Sequence, residues 1–67
     1  MGAHAPPELL ICDVSWARAD ATTVDALARL QLAAKRAGRF VRLRNASADL
    51  LELVAFMGLA DVLPEER

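Results

Sequence analysis

The sequence predicts an α/β fold, a short βαβα unit with room for a final β, built on a small, mostly parallel sheet with helices on one face. Three observations predict it. Leu9-Leu10-Ile11-Cys12-Asp13-Val14 is a short, continuous apolar run bounded by turn signals, the pattern of a strand covered on both faces. From Ala21 to Ala37 the apolar residues recur with helical period. Arg39-Phe40-Val41-Arg42-Leu43-Arg44 then mixes β-formers with charge, and a second helical pattern follows. Two strands joined by a helix lie parallel.

The chain has 67 residues, which allows one domain at most, and 55% of them are hydrophobic. So much apolar surface in so short a chain invites a partner. A net charge of −1 leaves no electrostatic footprint for nucleic acid. Arg36, Arg39, Arg42 and Arg44 read as solvated charges beside a strand. The single cysteine cannot form an intrachain disulfide, and no apolar run reaches the roughly eighteen residues of a membrane span. The N-terminus lacks the basic start and apolar core of a signal peptide. The expectation is a cytoplasmic protein.

Residues 1–7 read as a flexible tail. Pro6-Pro7 disfavours helix, and His4 has no companion ligand, so no metal or other cofactor is expected. Residues 8–63 read as the domain. The first strand covers 8–14; Asp13 at its end is placed to hydrogen-bond the loop that follows, and Cys12 reads as a small core residue. Trp16, in the loop Ser15–Ala19, either caps the core or anchors an interface.

Asp20 is a good N-cap for the first helix. Val24, Leu27, Leu30, Ala34 and Ala37 fall on one face, with Ala26 and Ala33 along its edge. Asp25, Arg29 and Arg36 fall opposite. Leu32 lies off the apolar stripe, near Asp25, and hints at a contact surface on the outer side. Lys35-Arg36 suits the helix C-terminus, and Gly38 is a natural stop. Arg39–Arg44 reads as a second, less enclosed strand. Ser47 can cap a helix from about Ala48 to Met57, with Leu50, Leu51, Val54, Ala55 and Met57 as its buried stripe. Gly58 ends it, and Leu59 can fold back. Ala60-Asp61-Val62-Leu63 is the candidate terminal strand, and residues 64–67 a solvated tail.

These motifs resemble a STAS domain, the fold of bacterial anti-sigma factor antagonists and of the cytoplasmic tails of sulfate transporters. The match runs through Leu10-Ile11-Cys12-Asp13, Asp20-Ala21-Thr22-Thr23, Gly38-Arg39-Phe40-Val41, Ala46-Ser47-Ala48, Met57-Gly58-Leu59 and Val62-Leu63. It covers nearly everything from Leu9 to Leu63. Three departures stand out. The two strands and helix that usually come first are absent, so the chain reads as truncated or naturally short. Ala21 stands where phosphorylatable members carry Ser or Thr, which leaves Thr22 and Thr23 as the hydroxyls open to phosphorylation. The loop before Asp20 is about one residue short, and Thr23 replaces a glycine.

The resemblance implies partner switching, with the helix start docking an anti-sigma factor of the kinase type. Trp16, Asp20, Ala21, Thr22, Thr23, Asp25 and Leu32 are the expected partner-binding residues. A second expectation is assembly: an open sheet edge and an uncovered face that a homodimer would complete. A third is a regulatory STAS subunit of a lipid or anion transporter. No nucleophile, base and orienting group stand together in the sequence, and it has no Gly-rich phosphate loop, so no catalytic residue is expected.

Overall fold

The computed structural model describes residues 8–66. The expected tail at 1–7, with His4, and Arg67 lie outside the described residues. The order is β1 (Glu8–Asp13), α1 (Ala21–Arg36), β2 (Arg39–Arg44) and α2 (Ala48–Phe56). β1 and β2 pair in parallel, Glu8 opposite Arg39 through Asp13 opposite Arg44. Both helices and β2 feed one core, made of Val14, Val24, Leu27, Ala34, Val41, Leu43, Leu50, Val54 and Leu63. Leu10 and Cys12, which share a sheet face with Val41 and Leu43, pack against it half-buried. The other face carries Leu9, Ile11, Phe40, Arg42 and Arg44, and stays open: Leu9 is 48% and Ile11 36% exposed. Helices on one face, as the sequence predicts, are what leave it so.

Local chemistry sets the boundaries. The Asp20 carboxylate accepts from the Thr23 N–H at 2.8 Å, and the Ser47 hydroxyl accepts from the Leu50 N–H at 3.1 Å, so each helix starts on a side-chain cap. Gly38 and Gly58, both at φ 75°, end the helical turns in the left-handed region that costs a glycine little. After Gly58, the Leu59 N–H returns to the Val54 carbonyl at 2.9 Å, which folds Leu59 back as expected.

Three details differ from expectation. In α1, Leu30 is 45% exposed and Ala37 is exposed, while Gln31 is fully buried between Leu27 and Ala34. Its amide nitrogen donates to the carbonyls of Val41 (2.9 Å) and Val62 (2.8 Å), and its carbonyl oxygen accepts from the Val41 N–H (2.8 Å). A polar residue takes the middle of the stripe because the outward edge of β2 offers it partners. In α2, Ala55 and Met57 are exposed and Leu53 is half-buried in their stead, because α2 meets the core chiefly through Leu50 and Val54. The third difference is the terminal strand. Ala60–Val62 form a turn, and the pairing falls later, as a parallel bridge of Glu65 to Leu43. The Leu43 N–H donates to the Pro64 carbonyl at 2.9 Å, and the Glu66 N–H to the Leu43 carbonyl at 2.7 Å. Residues expected as a solvated tail thus contribute backbone hydrogen bonds to the sheet.

The two edges of the sheet therefore differ. Val41 and Leu43 point their backbone groups away from β1, and Gln31 and residues 64–66 satisfy them. On β1 the Glu8 N–H donates to Gly38 and the Val14 N–H to Arg44. In a parallel ladder that alternation directs the amides of Leu9, Ile11 and Asp13 outward, to the open side.

Candidate functional site

The loop after β1 is built on Asp13. One carboxylate oxygen accepts from the Ser15 N–H at 2.9 Å, and the other from the Asn45 side-chain amide at 3.1 Å. Asn45 sits at φ 61°, a conformation asparagine tolerates better than most residues. Asp13 thus ties the C-terminal ends of both strands together and holds the loop, as the sequence suggests. The Trp16 indole N–H donates to the Asp13 carbonyl at 2.7 Å, which fixes the ring while leaving it 69% exposed. The residue is a tethered surface aromatic, not a lid over the core.

A cleft of about 300 Å³ opens between the end of β1, this loop and the first turns of α1, lined by Cys12, Trp16, Thr22, Thr23, Ala26 and Leu30, with Leu27 at its floor. It exists because α1 packs over β2 and leaves the inner face of β1 half-covered. Its walls are apolar apart from the two threonine hydroxyls. Cys12 keeps its expected place against the core, but also forms part of this wall.

Trp16, Thr22 and Thr23 are brought together at the cleft. Asp20 stands just before it, its carboxylate committed to capping α1, and Ala21 is exposed in the first turn. Asp25 pairs with Arg29 at 2.9 Å on the solvent side of the helix. Leu32, 57% exposed, lies roughly 160° around α1 from Leu30 at 100° per residue. Asp25 and Leu32 therefore belong to a different surface from Trp16, Thr22 and Thr23. Leu30, expected on the core face, instead forms a cleft wall. Phe56, not among the expected site residues, is 87% exposed beside Ala19, Asp49, Glu52 and Leu53. A signal was present there, since Phe56 falls well off the stripe set by Leu50 and Val54.

The carboxyls of Asp13 and Asp20 are both held below the ordinary aspartate value of 3.8. For Asp13 the first cause is the Ser15 backbone N–H, then the Ser15 and Asn45 side chains. For Asp20 it is the Thr23 backbone N–H, then the Thr23 hydroxyl. A carboxylate depressed on folding stabilises the native state fully above its unfolded pKa, and that contribution is lost as pH falls through the folded value. Asparagine keeps the Asp20 cap and the Asp13 acceptor for Ser15 without the charge, and gives up only the acceptor for the Asn45 amide. Between about pH 5 and pH 2 the melting temperature of an Asp13→Asn/Asp20→Asn chain is thus expected to fall less steeply than that of the wild type. Identical acid limbs in calorimetry would remove these two groups from the acid response.

Among the described residues, no three His, Cys, Asp or Glu side chains converge, and no helix is long and apolar enough to cross a membrane. Neither a family model, a curated protein nor a solved structure matches the chain.

Proposed function

We propose that this chain is a non-enzymatic, STAS-like interaction module, related in mode to the anti-sigma factor antagonists, and that it docks a regulatory partner protein through the cleft beside the α1 N-terminus. The observation that carries the reading is the composition of that cleft. An exposed, tethered tryptophan, an exposed leucine and two threonine hydroxyls converge at the strand-loop-helix turn where the STAS resemblance locates partner docking. A hollow of this size accepts one large apolar side chain of a partner, and tethered aromatics lose little entropy on burial. Thr22 and Thr23 at the mouth give phosphorylation a place to act, because a phosphate there would put charge into an apolar contact.

The test is titration of an anti-sigma factor of the kind STAS antagonists bind. Trp16→Ala and Leu30→Asp are each expected to weaken binding by roughly thirtyfold, the scale of a hot-spot truncation. Leu32→Ala, on the other flank of α1, is expected to change it little. Equal binding by all three variants would sink the proposal.

A second reading, self-assembly, is favoured by a separate observation: among the described residues one long edge of the sheet is sealed and the other, β1, is open and apolar.

A further inference from the structure

Resting on that second reading, we propose that two copies of this chain pair antiparallel along β1, with Leu10 facing Leu10 of the second copy across a two-fold axis. The hydrogen bonds available on the edge determine this register. In an antiparallel ladder, residues whose amides point outward must oppose one another and exchange both bonds. On β1 these are Leu9, Ile11 and Asp13. The Asp13 carbonyl already accepts the Trp16 indole N–H, so a register that uses it must share that oxygen with the indole. On the other side, Pro7 has no N–H to offer. Opposing Leu9 with Ile11 of the second copy engages the amides and carbonyls of both residues without calling on Asp13 or Pro7, whereas Leu9 opposite Leu9 or Ile11 opposite Ile11 exchanges only two bonds between them. That first arrangement makes four backbone hydrogen bonds and turns two two-stranded sheets into one of four strands.

Side chains and charge agree with it. Leu9 meets Ile11 on the outer face and Leu10 meets Leu10 on the inner face, so apolar residues oppose apolar residues throughout the centre. Glu8 and Asp13, the acids at the ends of β1, never oppose each other, because the alternation of the ladder forbids it. Glu8 falls instead opposite Cys12 of the second copy, at the cleft beside Thr22 and Thr23.

Sedimentation equilibrium of the full chain tests the pairing. Wild type is expected to be a dimer. Leu9→Glu/Ile11→Glu sets two glutamates opposite each other in this register, while Glu at 11 sits beside Arg42 within its own chain and spares the monomer fold. It is expected to raise the dissociation constant at least about tenfold. Leu9→Lys/Ile11→Glu should restore dimerisation, since lysine then faces glutamate. Leu10→Cys in a Cys12→Ser background should cross-link to itself under mild oxidation, because directly opposed non-hydrogen-bonded residues lie about 4.5 Å apart at Cα. A dimer indifferent to the glutamate pair, or one that fails to cross-link at position 10, overturns this pairing and leaves assembly to another surface. A wild-type chain that sediments as a monomer throughout a concentration series overturns both the pairing and the assembly reading.

Discussion

Gln31→Leu is expected to lower the melting temperature by roughly 15–25 °C. The side chain is fully buried and makes three hydrogen bonds, two to Val41 and one to Val62. Leucine has a similar volume and would gain a little from burial. It would leave the Val41 N–H and the Val41 and Val62 carbonyls facing a side chain with nothing to offer. A buried unsatisfied group costs about 1–3 kcal/mol, so three of them outweigh the apolar gain and leave a net loss on the order of 3 kcal/mol. A domain of this size has only roughly 3–10 kcal/mol in total. Gln31→Glu separates hydrogen bonding from volume: a carboxylate fills the same space, but cannot donate to either carbonyl, and is expected to be at least as damaging at neutral pH. Thermal melts of both variants decide the matter. A Gln31→Leu chain as stable as wild type would show that the network adds nothing net.

Leu50→Ala is expected to cost about 2–5 kcal/mol in chemical denaturation. Leu50 is fully buried and, with Val54, is one of the two residues that anchor α2 in the core. At nine residues, α2 is too short to hold helical structure by itself in water, so its stability comes from this contact and from the Ser47 cap. Far-ultraviolet circular dichroism should therefore show lost helix along with the lost stability. Leu51→Ala, at a half-buried neighbour, is expected to cost clearly less. Equal losses at 50 and 51 would mean that the packing of α2 is not specific to one face.

The elements of this fold were legible because each is bounded by chemistry that acts locally. Asp20 and Ser47 cap the helices and Gly38 and Gly58 stop them, whatever the rest of the chain does. The parallel pairing follows from the strand-helix-strand order alone. Gln31 was hidden for a different reason. Its position, between Leu27 and Ala34 on the helical wheel, lies squarely on the core face, but a periodicity built on hydrophobicity discounts a polar residue. Only the free edge of β2, ten residues on, makes its burial favourable. The terminal strand was misplaced similarly: Val62 and Leu63 have strand-like side chains, yet Leu63 is used as core and the pairing passes to Pro64, Glu65 and Glu66. At the cleft, Thr22, Thr23 and Trp16 could be read from the turn. Leu30 could not, because its exposure depends on α1 covering one strand more than the other.

The sealed outer border of β2 carries a consequence for growth. A sheet with two sticky borders adds subunits at both ends, and its natural product is a fibre. Here the plug from Gln31 and the strap of residues 64–66 act as a chain terminator on one side. A second copy that joins the other side brings a terminator of its own, so addition stops at a closed, countable particle.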